Sequence, residues 1–263
     1  MSLAPIRIAT LGQLTGPQDW RLSQVHDRPE HLIIWITRGQ GRMLLNGTRR
    51  GVGTHNAMSI PPHTLFSLEL GRQGAGMIAL IPDGSDVRLP EGPRQLRIRD
   101  VAAISDMTAL FEAAHREVTT PRPLTQDALD GHAALISVWL RRQIAIPDHL
   151  PLPMNAAARL SAAFCDRIAR HHALGLTMAD HAEALNVTPT HLTRACKAAT
   201  GRTAADLLTE RVLYAARIGL IESDGAIQDV ARHLGFGSAA YFTRFMQQHT
   251  GMTPSAVRQK GRL

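Results

Sequence analysis

From His31 to Pro90 the apolar residues come in short runs broken by Gly, Asn and Pro, whereas beyond Asp100 they recur every three or four positions. The first pattern predicts strands and the second helices. Side chains alternate between the two faces of a strand, and they return to one face of a helix after about 3.6 residues. The strand-forming runs are His31–Thr37, Arg42–Leu45, Ala57–Ile60, Thr64–Leu70 and Gly76–Ile81, with Gly39-Gln-Gly41, Asn46-Gly47, Pro61-Pro62 and Pro82-Asp-Gly84 as breaks. Asn-Gly signals a tight hairpin, because both residues tolerate positive φ. Short strands at this spacing predict a small antiparallel sandwich or barrel.

Two helices are expected next. Val101, Ile104, Met107, Leu110 and Phe111 mark one; Leu135, Ile136, Val138, Trp139, Leu140, Ile144 and Ile146 mark another that starts near Thr125. The second is apolar enough to pack on two sides, one against the strands and one against a second copy of the chain; an internal core helix is the alternative. After Asn155, Leu160, Phe164 and Ile168 open a purely helical region. Thr177-Met-Ala-Asp180 has the form of a capping box, and Thr188-Pro189 sets a hydroxyl cap before a first-turn proline. A short helix, a turn at Asn186-Val187 and a second helix that stops at Gly201 make a helix-turn-helix.

In that second helix Leu192 and Cys196 form the apolar anchor, which leaves Thr190, His191, Thr193, Arg194 and Lys197 outward. Polar side chains on such a face can reach base edges and phosphates in a major groove about 12 Å wide. Arg194 suits a base, because a guanidinium bonds guanine O6 and N7 together; Lys197 and His191 suit phosphates better. A solvated face on an ordinary helical hairpin explains any one such pattern equally well. Here the pattern occurs twice. Thr203-Ala-Ala-Asp206 opens a long helix ending at Asp224-Gly225, Ile227 to Phe236 form another short helix and turn, and Ser238 caps a helix carrying Tyr241, Phe242, Thr243, Arg244 and Phe245. Leu185–Arg194 aligns with Leu234–Arg244 with one residue inserted, and both segments place Thr-Arg on the second helix. Duplication argues against chance.

The run from Val230 to Arg258, with Gly235-Phe236, Tyr241-Phe242-Thr-Arg244 and Gly251-Met-Thr253-Pro254-Ser-Ala-Val-Arg258, resembles the signature of AraC/XylS-type transcription regulators, and the similarity extends back to Asn155. The resemblance implies two helix-turn-helix units joined by the helix Thr203–Ile221 and entering successive major grooves. The first would present Thr190, Thr193 and Arg194, the second Ala239, Ala240, Thr243 and Arg244. Where the family usually ends each reading helix with Phe-Lys, this chain has Cys196-Lys197 and Met246-Gln247, and Val257 replaces the aromatic before Arg258. Ala239 and Ala240 donate no side-chain hydrogen bond and can only touch thymine methyls, so the second unit is expected to position more than to discriminate.

The first half is similar in layout to a cupin-type sensor domain. The implied architecture is an α+β multidomain protein: residues 1–149 an antiparallel cupin-like β-barrel with following helices for effector binding and dimerisation, and residues 150–263 an all-α double helix-turn-helix domain. Trp35, Arg42, Met43, His63 and Phe66 are the expected wall of the effector pocket. Arg38, Arg42 and Arg49 are candidates to attract an acidic effector, or are simply solvated. The implied partners are double-stranded promoter DNA, a small-molecule effector, a second copy of the chain and RNA polymerase.

Charge agrees with this division. Residues 1–149 carry 16 basic and 14 acidic side chains, and residues 150–263 carry 13 and 8, so +5 of the net +7 lies in the second part. A polyanionic partner is one explanation, and a soluble basic surface is another. With 44% apolar and 19% charged residues, disordered and low-complexity classes are excluded. Cys165 and Cys196 form no CxxC pair, which excludes a disulfide framework and a Cys-rich zinc module; both are expected to be small buried residues in a reducing compartment. No apolar run approaches the roughly 18 residues of a membrane span and no secretory signal pattern opens the chain, so a cytoplasmic location is expected. Among His26, Glu30, His31, His55 and His63 there is no H-x-H pair, so neither metal nor cofactor is expected. The same spacing weighs against the rival reading, a metal-dependent dioxygenase or isomerase built on the barrel. A constitutive nucleoid-type DNA binder without an effector is the third reading.

Overall fold

The computed structural model describes residues 4–149 and 153–262. Leu150, Pro151 and Leu152, at the expected domain boundary, lie outside the described residues. In the first half, one antiparallel sheet has the order β1 (Arg7–Thr10), β7 (Ala75–Pro82), β2 (Glu30–Arg38), β5 (Asn56–Ile60) and β8 (Arg94–Arg97). A second has the order β4 (Thr48–Gly53), β3 (Gln40–Leu45) and β6 (Phe66–Leu70). Two sheets with a shared apolar interior make an open sandwich, without the continuous ladder of a closed barrel.

Strand β2 is the centre of this half. Its residues His31 to Ile36 are all buried. Leu32, Ile34 and Ile36 meet Met43, Leu45, Phe66 and Leu68 of the smaller sheet. Ile33 and Trp35 point the other way, to Met107, Phe111, Ile136 and Leu140. Those four belong to α3 (Val101–Thr119) and α4 (Thr125–Ile144), which cover the outer face of the larger sheet. A strand buried on both faces reads as one continuous apolar run, so its sequence shows no alternation. Two short helices, α1 (Leu11–Thr15) and α2 (Trp20–Ser23), follow β1.

Asn46 and Gly47 both have positive φ, 44° and 70°, as expected for the turn between β3 and β4. The turn also serves a distant contact. A Cβ on Gly47 would stand 2.6 Å from the backbone nitrogen of Ala162, so the hairpin tip is pressed onto a helix of the second half.

That second half contains α5 (Ala156–His171), α6 (Met178–Glu183), α7 (Pro189–Thr200), α8 (Ala204–Glu222), α9 (Ile227–His233), α10 (Ala239–Thr250) and α11 (Pro254–Gly261). The last was not predicted from the sequence pattern. Two cores form here. Phe164, Ile168, Leu192, Cys196 and Leu207 build the first, and Leu213, Leu220, Val230, Phe242 and Met246 build the second. Cys165 and Cys196 are buried and unbridged; burial pushes both thiols up, Cys196 to about 11, which leaves them inert.

The first of these cores does not stop at the expected boundary. Val25, Leu44 and Leu65 of the β-half belong to it. Helix α8 adds a polar contact along one face. Glu210 accepts from the Val25 N–H at 3.3 Å, Arg211 pairs with Asp27 at 2.6 Å, and Tyr214 stacks on His26 with ring centres 4.3 Å apart. Further along, Arg217 lies over the Trp20 ring at 5.1 Å and Glu222 pairs with Arg21 at 2.8 Å. Residues spaced by three, four and seven share one helix face, so the β-half grips the helix that connects the two helix-turn-helix units.

Candidate nucleic-acid interface

The first unit is built as its sequence dictates. The Thr177 hydroxyl accepts from the Asp180 N–H at 3.2 Å while the Asp180 carboxylate accepts from the Thr177 N–H at 2.7 Å, and these donors hold the Asp180 carboxyl below its usual range. Asn186 takes the left-handed conformation, φ 53°, that lets α7 leave α6 at a sharp angle. Thr188 caps α7 by accepting from the His191 N–H at 3.2 Å, and Gly201 ends it with φ 79°. Leu192, Ala195 and Cys196 are buried. Thr190, His191, Arg194 and Lys197 are exposed and Thr193 is half-buried. Arg194 Nη2 lies 3.4 Å from His191 Nδ1, an arrangement in which one side chain orients the other along the exposed face.

The second unit repeats the design with different filling. Ser238 accepts from the Tyr241 N–H at 3.1 Å, and Gly251 ends α10 with φ 70°. Phe242 and Met246 occupy the positions of Leu192 and Cys196 in the core. Ala239, Ala240 and Arg244 are exposed and Thr243 is half-buried. Every reading-helix position expected from the sequence thus lies on the accessible side of its helix. Of the departures from the expected pattern, Cys196, Met246 and Val257 are buried core fillings, whereas Gln247 is exposed. Arg258 is structural, its guanidinium donating to the carbonyl oxygens of Leu220 at 3.0 Å and Gly225 at 2.7 Å just where α8 ends.

Sequence reasoning missed the contact between the two units. Gly175 and Gly235, with φ 66° and 76°, meet backbone to backbone; a Cβ on Gly235 would lie 2.5 Å from the Gly175 nitrogen. Gly235 was read as part of a turn, and nothing local in the sequence signals that it touches Gly175.

The expected effector wall does not come together. Trp35 faces the helices, donating from Nε1 to Thr108 Oγ1 at 3.2 Å, because its odd position on β2 turns it away from the sandwich interior. Phe66 and Met43 are packed in that interior with no exposed surface of consequence. Arg42 is exposed and paired with Glu69 at 2.6 Å, and His63 is exposed with Nδ1 3.4 Å from Asp27. The interior that was to hold a ligand is filled by Leu32, Ile34, Met43, Leu45, Met58 and Phe66. His26 is buried between Phe66 and Tyr214, while His31 Nε2 bonds Ser59 Oγ at 2.7 Å. Among the described residues no three His, Cys, Asp or Glu side chains are grouped to hold a metal ion.

Residues 181–260 match the family model described as a helix-turn-helix domain. The chain is 31% identical over 88 residues to the bifunctional transcriptional activator/DNA repair enzyme AdaA of Bacillus subtilis (strain 168), a match covering 34% of this chain and 42% of that protein. It is 38% identical over 71 residues to the probable transcription factor PqrA of Proteus vulgaris, covering 27% and 58%. The chain spans about half the length of the curated relatives it matches. Among solved structures, unsaturated fatty acid-bound ToxT from Vibrio cholerae aligns with 97% of this chain and 96% of its own at 10% identity and a TM-score of 0.45. The paired capped helices α7 and α10, joined through α8, and the matched residues 181–260 define a domain of the double helix-turn-helix class. The match is confined to residues 181–260, within the region whose sequence resembles the AraC/XylS-type signature.

Proposed function

We propose that this protein is a sequence-specific, non-enzymatic transcription regulator whose first half, residues 1–149, senses a small molecule and whose second half, residues 150–263, binds promoter DNA. The observation that carries the DNA-binding part is the repeated presentation of Thr-Arg: Thr193-Arg194 and Thr243-Arg244 sit at equivalent positions on capped helices, with each Arg exposed and the core residues on the opposite side. Selection of bound fragments from genomic DNA tests it directly. Arg194→Ala is expected to weaken binding to the selected site by about 1–3 kcal/mol and to relax preference at one base pair, whereas Lys197→Ala lowers affinity for all sequences alike. Unchanged selectivity in the Arg194 variant, in competition at fixed salt, counts against its role.

Effector control is supported by the grip of the β-half on α8. A groove of about 840 Å³ is bordered by Ile6, Ile8, Leu14 and Arg21 on one side and by Tyr214 and Ile218 of α8 on the other. A ligand there touches both halves, and so has different affinities for their alternative arrangements. This groove replaces the filled sandwich interior as the proposed effector seat. Metabolites made by the products of genes beside the selected sites form the screen, read as a rise in Tm and a change in operator affinity. Exposed Leu135 and Ala134 on the outer side of α4 support the dimer reading, checked by sedimentation with and without DNA.

A further inference from the structure

Helix α7 has twelve residues, about 18 Å at 1.5 Å per residue, which exceeds the roughly 12 Å width of a major groove. If its first turns lie against base edges, as the proposed function holds, its last turn stands over a bordering sugar-phosphate strand. Thr190, Arg194, Lys197 and Ala198 run along one face of the helix and line a shallow depression there. Lys197 and Ala198 also border the next depression, of about 530 Å³, whose other wall is Gly41, Arg42, Arg49, Arg50 and Gly51 of the β3–β4 hairpin. The exposed face of α7 therefore continues without a break onto the β-half.

We infer that the β3–β4 hairpin is part of the DNA-binding surface and that Arg49 contacts a backbone phosphate beside the one reached by Lys197. Four observations support this. Arg49 is exposed, and its Nη1 lies 3.6 Å from where a Cβ on Gly201 would stand, which places the guanidinium beside the C-terminal end of α7. Among the described residues neither Arg49 nor Lys197 is paired with a carboxylate. The nearest acidic group on the hairpin side, Glu69, is already bonded to Arg42 at 2.6 Å and to Arg202 at 3.1 Å, so the surface keeps its positive charge. Gly51, whose missing Cβ would meet nothing within 4 Å, leaves room for a phosphate group to approach.

Because the inference rests on DNA binding by α7, the test separates the two. Full-length wild type, Arg49→Ala, Arg194→Ala and Arg116→Ala are titrated onto a selected duplex and a random duplex over a range of KCl concentrations. Arg116 is an exposed arginine on α3, and its variant removes the same charge elsewhere. Arg49→Ala is expected to lose affinity several-fold on both duplexes. The slope of log Kobs against log salt becomes shallower by about 0.9, one phosphate contact, with base preference and Tm unchanged. Arg116→Ala leaves the slope alone. An unaltered slope for Arg49→Ala while Arg194→Ala still relaxes selectivity overturns the hairpin contact and spares the reading of α7. Equal loss of slope in Arg49→Ala and Arg116→Ala reduces the effect to net charge and also overturns it. Absence of selective binding by wild type defeats the parent reading itself.

Discussion

Removing the Asp27 carboxylate while Arg211 stays in place strands a guanidinium between the β-half and α8. The two side chains are 7% and 10% exposed and their Oδ1 and Nε atoms are 2.6 Å apart. At an effective dielectric of about 20, unit charges at that distance attract by about 6 kcal/mol. Desolvating each ion costs several kcal/mol, so the intact pair contributes little beyond its hydrogen bond, but loss of one partner leaves the other unpaired and costs about 3–5 kcal/mol. Asp27→Ala and Arg211→Ala are each expected to lower stability by that amount, and the double variant by much less than the sum. Urea denaturation of all four proteins, followed by tryptophan fluorescence and circular dichroism, completes the double-mutant cycle. Two singles that each cost under about 1 kcal/mol and add simply would refute the reasoning, by showing that water reaches the pair in solution.

Gly235→Ala forces a left-handed conformation on a residue with a Cβ, about 1–2 kcal/mol, and drives that atom into Gly175. The expected outcome is two folded units with altered spacing, seen as a footprint shortened from two adjacent grooves to one; an unchanged footprint and affinity would show that the turns need not touch. Burial holds His26 down to about 3 and His31 to about 4, against an ordinary 6.5. The unfolded chain then binds more protons than the folded one below pH 6.5, so stability is greatest above that value. It falls by about 1.4 kcal/mol per pH unit for each group, until pH reaches about 4 for His31 and about 3 for His26. Tm measured from pH 7.5 to 5 checks this, and His26→Phe, which keeps the stack on Phe66 and Tyr214, is expected to flatten the profile; coincident profiles would remove His26 as a cause.

Legibility followed the range of the interactions. Helices α5 to α10 were readable because caps, stops and apolar stripes are local: Thr188 and Gly201 bracket α7 whatever else the chain does. The strands β1, β4 and β8 were not read. β4 is Thr-Arg-Arg-Gly-Val-Gly, an edge strand in which only Val52 is buried, so no alternation marks it. The effector wall failed for a related reason. Trp35 and Phe66 are both large buried aromatics, and only strand pairing and helix cover decide that one faces α3 and the other the sandwich interior.

By itself the sequence determined the duplicated helix-turn-helix units, the residues on their outer faces and the apolar residues that anchor them, since each of these follows from backbone geometry over a few neighbouring residues. The tertiary structure alone decided that the hairpin at Asn46-Gly47 rests on α5, that the β-half holds α8 through Asp27 and His26, that Gly175 meets Gly235, and that Arg49 stands beside the end of α7. These contacts join positions far apart in the chain. Their energy comes from burial and ion pairing after the elements have formed, and no periodicity within either partner records them.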